Sequence, residues 1–266
     1  MGFNSWVTHV LLAMQSESES HSGALMALGG RQSVFLTQRQ LTDIAKSYGV
    51  PGQRLELLGT DSEVDTETLR TRGGITDRAY VKALMDASTF SFDVTAYERA
   101  DQVLDLNSAF DSQGAQGILA TADIVYDGGC LDNVFDPQMA LRNLCSLLKP
   151  GGRIVNWACA SNWPGAYAMV SPEWLLSFYA INGFTDIRTY VAIPMNSPAS
   201  WPNLEVALYR YSPRFTRDAA WDPWVAMQKD PGHPCFVLAV AETTRSVSPL
   251  EWSTPMQSHY LTGGLH

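Results

Sequence analysis

Charge is scarce in this chain of 266 residues: 17% are Asp, Glu, Lys or Arg, where an ordinary soluble domain carries about 25%. Cationic charge is scarcer still. Eighteen Lys and Arg face 27 Asp and Glu, a net charge of −9 at pH 7, and the stretch 1–30 holds no Lys or Arg at all. A protein that tracks a phosphate backbone gathers basic residues on one face; no such cluster occurs here, so nucleic acid is not an expected partner. Without a basic region at its start the chain lacks the pattern of a secretory signal. Its early apolar run, Trp6–Met14, is too short to cross a bilayer and is broken by Thr8 and His9. The expectation is a soluble, cytoplasmic protein with no membrane partner.

Metal-binding patterns are missing too. Cys130, Cys145, Cys159 and Cys235 form no C-x-x-C pair, and no His stands near one at ligand spacing. They read as small buried thiols in a reducing compartment, and no metal is expected. No strand-like run is followed by G-x-G-x-x-G, which argues against a nicotinamide oxidoreductase. There is no internal repeat.

What is present is ample material for a core. Apolar residues make up 45% of the chain and aromatics 11%, and a chain of this length buries roughly 75% of its unfolded surface. The organisation predicted is an arm or lid over 1–22, one α/β domain over 23–243 and a loose tail over 244–266. Within it, Ala24–Leu28 reads as a strand stopped by Gly29-Gly30, and Thr37–Tyr48 as a helix ended by Gly49 and Pro51. Residues 52–76 are polar and unassigned. From Asp77 to Ala87 helical spacing returns. Strands then alternate with helices: Thr89–Asp93, Gln102–Asp105, Ala122–Asp127, the helix Pro137–Leu148, the strand Arg153–Cys159, the helix Pro172–Asn182 and the strand Phe184–Ile193. A Trp- and Pro-rich insertion over 196–231 precedes a last strand, Cys235–Ala241. Such alternation implies a mostly parallel sheet covered by helices.

In sheets of that kind ligands bind outside the carboxyl ends of the strands. The strand-terminal residues Gly29, Asp93, Asp105 and Asp127 are therefore the first candidates. An acid so placed accepts hydrogen bonds from ribose hydroxyls; it also serves simply to satisfy turn backbone. For Gly128-Gly129 the alternative is a plain turn after a strand.

Two ordered stretches carry a resemblance. Asp123-Ile-Val-Tyr-Asp-Gly-Gly-Cys-Leu-Asp-Asn-Val-Phe-Asp-Pro leads to Leu147-Leu-Lys-Pro-Gly-Gly152, and Phe92-Asp-Val-Thr-Ala-Tyr-Glu-Arg-Ala-Asp precedes Asp105-Leu-Asn107. Together, and with Asn162-Trp-Pro through Ser171-Pro-Glu173, they resemble the class I S-adenosylmethionine-dependent methyltransferases, in a divergent bacterial branch, over about residues 88–194. The resemblance implies a Rossmann-like, seven-stranded, mostly parallel sheet with an N-terminal arm and a cap insertion. It implies S-adenosyl-L-methionine as cofactor and a small-molecule acceptor, in bacterial secondary or sugar metabolism.

Position by position, the resemblance implies that Asp93 and Val94 lie at the cofactor's ribose and Asp105 and Leu106 at its adenine. Asp127, Gly128 and Gly129 flank the cleft near its methionine portion or the substrate, Gly29 and Gly30 contact the cofactor, and Arg31 pairs with its carboxylate. A methyl transfer needs alignment above all, with a base where the acceptor must lose a proton; Asp127, Tyr167 and His233 are the candidates, and Asp132 and Tyr97 come next. Tyr97, Asn162, Trp163, Tyr167 and Trp201 are the candidate acceptor contacts. Two departures stand out. The family's Gly-x-Gly-x-Gly is reduced to Leu28-Gly-Gly-Arg-Gln32, and Asp132-Asn133 stands where the branch has Glu-His. Two alternatives therefore remain open: other sulfonium chemistry on the same cofactor, such as aminocarboxypropyl transfer or cyclisation, and a non-catalytic partner domain.

Overall fold

The alternation of strand and helix builds one eight-stranded sheet. The computed structural model describes residues 2–17, 23–58, 74–161, 163–196, 205–211 and 234–255. The strands of the sheet are β2 (Leu25–Gly29), β4 (Ser88–Asp93), β5 (Gln102–Val103), β6 (Ala122–Asp127), β7 (Leu148–Ser161), β8 (Thr185–Pro194), β9 (Val206–Arg210) and β10 (Cys235–Glu242). They lie in the order β5-β4-β2-β6-β7-β10-β8-β9. The five strands from β5 to β7 are parallel, while β10 runs antiparallel to both β7 and β8. Seven of these strands make the class I methyltransferase arrangement. The eighth, β9, corrects the expected count: Val206-Ala-Leu-Tyr-Arg210 lies inside the supposed polar insertion and pairs antiparallel with β8 at the sheet's edge.

Period-two alternation sends the strand residues to two cores. Ile124, Tyr126, Val155 and Trp157 face one helical layer, made of α1 (Ser5–Ser16), α2 (Gln38–Ser47), α3 (Gly52–Leu55) and α4 (Asp77–Met85). Val125, Ile154 and Ala158 face the other, with α5 (Pro137–Ser146) and α6 (Pro172–Ile181). Helix starts are set by side chains that accept the first orphan N–H groups. Thr37 and Gln40 form a capping box on α2, and Thr76, Asp136 and Ser171 cap α4, α5 and α6.

The first residues are part of this packing. β1 (Gly2–Phe3) pairs in parallel with β3 (Ser33–Val34), and a Cβ on Gly2 would stand 2.1 Å from the Ser33 carbonyl oxygen. The Phe3 ring stacks on Tyr80 and Tyr126, at centroid distances of 4.1 and 4.8 Å, and the Tyr80 hydroxyl donates to Thr8 Oγ1 at 2.9 Å. At the other end, residues 244–255 of the supposed loose tail are docked. Trp252 is buried with its Nε1 donating to Ser146 Oγ, and Ser253 exchanges two hydrogen bonds with Asn182.

Candidate functional site

Strand order reverses between β2 and β6, and a cleft of about 330 Å³ opens at the carboxyl ends of the neighbouring strands. The turn after β2 contributes Gly29, Gly30, Arg31 and Gln32. The segment after β4 contributes Asp93, Val94 and Glu98, that after β5 Asp105, Leu106 and Asn107, and the loop after β6 Gly128, Gly129, Cys130, Asn133 and Val134. All the sequence-derived cofactor positions except Asp127 thus line one cleft.

The glycines are there because neighbouring groups leave no room. A Cβ on Gly29 would stand 2.7 Å from Cys130 Sγ, whose thiol donates to the Gly29 carbonyl at 3.2 Å. A Cβ on Gly128 would stand 2.3 Å from Gln32 Oε1 and 2.8 Å from the Tyr126 ring. Gly30 adopts φ +70°, a left-handed conformation that favours glycine, and lies against the Asp93 carboxylate. The reduced glycine motif is therefore braced by side chains. Gln32 Nε2 donates to the Gly29 carbonyl at 2.6 Å and to that of Gly30 at 3.3 Å.

Arg31 is the first correction. Its Nε and Nη2 donate to the Asp77 carboxylate at 2.9 Å, and the backbone N–H of Gln32 reaches the same carboxylate at 2.8 Å. Both side chains are buried. The guanidinium is committed to α4 and is not set out to meet a ligand's carboxylate.

Asp93 ends β4, half-buried, with its carbonyl taken by the N–H of Leu104 and Oδ1 weakly bonded to the Thr95 N–H. Asp105 is held as a turn. Its N–H donates to Gln113 Oε1, its carbonyl accepts from Gln113 Nε2, and its Oδ1 accepts from the Asn107 backbone and side chain. With Glu98 these make three carboxylates among the described residues lining the cleft, beside the one guanidinium of Arg31.

The candidate bases fare differently. Asp127 is completely buried behind the Gly128–Cys130 loop, with Oδ1 accepting from the Gly129 and Cys130 N–H groups and Oδ2 from Asn156 Nδ2. Burial lifts its carboxyl to about 6, but no oxygen faces the cleft, so it does not touch reacting atoms there. Asp132 is also buried and raised by burial, its Oδ2 accepting from the Cys159 N–H. Tyr167 is two-thirds exposed, its N–H donating to the Asp132 carbonyl and its ring 4.7 Å from that of the exposed Phe135. Tyr97 is equally exposed, on the loop beyond Val94, and does not line the cleft. Trp163 packs against the core beside Phe236, and Trp157 is a core residue whose indole donates to the Tyr126 hydroxyl. His233, Asn162 and Trp201 lie outside the described residues.

Gln32, Glu98, Cys130 and the brace Asp77 escaped sequence reasoning. Asp77 opens a helix 46 residues from Arg31, and only the fold brings the two together. Among the described residues no three of His, Cys, Asp and Glu converge as metal ligands, and no helix is long and apolar enough to cross a membrane.

No protein-family model matches the chain, and no curated protein does. Solved structures resemble it in fold. A SAM-dependent methyltransferase from Archaeoglobus fulgidus is 10% identical, with 90% of this chain and 94% of that one covered and a TM-score of 0.43. The 4+2 cyclase SpnF is 13% identical, with coverages of 92% and 85% and a TM-score of 0.42. The 1,6-didemethyltoxoflavin-N1-methyltransferase of Burkholderia thailandensis is 14% identical, with coverages of 89% and 77% and a TM-score of 0.39. The fold assignment rests on the sheet order itself.

Proposed function

We propose that the chain is an S-adenosylmethionine-dependent enzyme that passes a methyl group to a small-molecule acceptor. The observation that carries this reading is the charge of the cleft. Asp93, Glu98 and Asp105 line it, and the one cation among its described lining residues, Arg31, is neutralised by Asp77. The Asp93 and Asp105 carboxylates repel the polyphosphate of a dinucleotide and attract a nucleoside whose side arm is cationic. The bare backbone at Gly30 gives that arm a surface to lie on.

When bound, S-adenosylmethionine supplies an electrophilic methyl group on a sulfonium. The chain's own part is to bind and orient. Asp93, at the end of β4, would accept from the cofactor's vicinal hydroxyls, and Asp105, held by Gln113 and Asn107, would hold its base together with Leu106. The loop Gly128–Val134 forms the wall toward the acceptor. Phe135 and Tyr167, exposed and with their rings 4.7 Å apart at a tilt of 30°, offer an aromatic face to the acceptor. Asp127 and Asp132 are buried, so among the described residues neither is a base for the acceptor; alignment is the main contribution. The motifs shared with the bacterial branch favour an acceptor of secondary or sugar metabolism.

The test is product analysis. Purified protein is incubated with S-adenosylmethionine and a panel of small phenols, amines and sugars, and the products are weighed. Methyl transfer leaves S-adenosylhomocysteine and an acceptor heavier by one CH2. Methylthioadenosine as the by-product would instead identify aminocarboxypropyl chemistry and overturn the proposal.

A further inference from the structure

A chain of buried hydrogen bonds ends at the cleft wall. It begins on α6, where the Tyr179 hydroxyl donates to Asn156 Oδ1. From β7, Asn156 Nδ2 donates to Asp127 Oδ2 at 2.9 Å. On the far side of the same carboxylate, Oδ1 accepts from the N–H groups of Gly129, at 3.2 Å, and Cys130, at 2.6 Å. Tyr179, Asn156 and Asp127 are each 0% exposed. Gly128, Gly129 and Cys130 line the cleft. The carboxylate is thus the peg on which that wall hangs.

The arrangement suits an ionised Asp127 best. All three of these partners donate, and a carboxylate accepts from all of them. Of the carboxylate's roughly four acceptor sites three are filled, so a proton takes either the one left on Oδ2 or a site where a donor already points. Inverting the Asn156 amide would make room, but its NH2 would then face Tyr179, whose hydroxyl proton loses its acceptor in a closed interior. Either way the two bonds to the loop N–H groups fall from charge-assisted to neutral strength.

We propose that ionised Asp127 is the positioning residue of the cleft, holding the Gly128–Cys130 backbone in its ligand-binding shape, and that ligand binding fails when this carboxyl takes up a proton. The inference rests on reading the cleft as a cofactor site, but the wall can be followed with no ligand present. Four titratable groups face Asp127: Tyr126 on its own strand, Cys130 and Asp132 on its loop, and Tyr179 from α6. Tyr126, Cys130 and Tyr179 are all raised by burial, so they stay neutral through the relevant range. Asp132 is the one like charge, and it adds to the burial that raises the Asp127 carboxyl. The residue sits where a base was expected, and its role is to shape the site from behind.

The experiment has a binding arm and a ligand-independent arm. S-adenosylhomocysteine is titrated calorimetrically from about pH 5 to about pH 8 into the wild-type protein and into Asp127→Asn, Asp132→Asn and Tyr179→Phe, and the Gly129 and Cys130 amide resonances are followed over the same range without ligand. In the wild type, affinity should fall toward ~tenfold per pH unit below the titration of Asp127, and both amides should shift with the same midpoint. Asp127→Asn carries the neutral acceptor of the protonated state at every pH, so it should bind at least about tenfold more weakly than wild type at neutral pH, and its affinity and amide shifts should be flat with pH. Asp132→Asn should lower the midpoint and keep the slope. Tyr179→Phe frees Asn156 to invert and should raise the midpoint; it gives the same test if Asp127→Asn does not fold. Amides that do not titrate in the wild type, or that titrate alike in Asp127→Asn, overturn the proposal. If no protein binds the ligand, the cofactor reading fails; a ligand-independent wall that still titrates with Asp127 would uphold the positioning role, and a flat one would overturn it.

Discussion

The Asp77 carboxylate, at the first residue of α4, takes two bonds from the Arg31 guanidinium and one from the backbone N–H of Gln32, all at 2.8–2.9 Å. A helix far along the chain thereby fixes the turn that follows the first parallel strand. Asp77→Ala removes the carboxylate paired with the buried guanidinium, which should cost about 3–5 kcal/mol in urea denaturation. The double variant Asp77→Leu with Arg31→Met replaces the pair by apolar groups and should recover most of that stability. It should not recover ligand affinity, because the Gln32 N–H still lacks its anchor. A double variant that binds S-adenosylhomocysteine like wild type would show that the brace has no part in the site.

Gly128 should not tolerate a methyl group. Its Cβ would meet Gln32 Oε1 at 2.3 Å and the Tyr126 ring at 2.8 Å, and overpacking of this kind costs about 1–3 kcal/mol. Ligand affinity should fall by at least about tenfold, since the cleft wall itself must move. Gly165→Ala is the control: its nearest neighbour is Trp163 Nε1 at 3.6 Å, ordinary contact distance. Equal behaviour of the two variants would refute the argument.

The sequence revealed the sheet more readily than the site. Ala122–Asp127 and Cys235–Ala241 are bounded by turn residues and rich in apolar side chains, and they appear as strands almost residue for residue. Strand-terminal acids marked Asp93 and Asp105 because carboxyl ends of parallel strands converge on one edge. Three things were hidden. Trp6–Met14 is buried on nearly every side as part of α1, so no clean amphipathic stripe announced a helix. Strand β9 sits in a stretch whose polar surroundings masked its alternation. Asp127 shares its sequence context with Asp93, yet one carboxylate lines the cleft and the other is sealed behind it; only the packing of β7 and α6 separates them.

Stability should carry the mark of Asp127 as well. Its carboxyl stands at about 6 in the folded protein, above the value of about 4 in an unfolded chain. Between those values the native state binds more protons than the unfolded state, so this group's contribution to stability falls as pH rises through the window. Asp127→Asn does not titrate. The melting temperature of the variant relative to wild type should therefore rise from about pH 4.5 to about pH 7. A difference that stays constant, or that shrinks, would mean that the buried carboxylate is not held against its burial.

The most direct measurement is calorimetric titration of S-adenosylhomocysteine into the purified protein and into Asp93→Ala. Asp93 is half-buried at the end of β4 and faces the cleft beside Gly30, so its removal should leave the fold intact, with a change within about 1 kcal/mol. The account predicts micromolar binding by the wild type and a loss of at least about tenfold in the variant. Wild-type protein that does not bind, or Asp93→Ala that binds equally well, would contradict the assignment of this cleft to the cofactor.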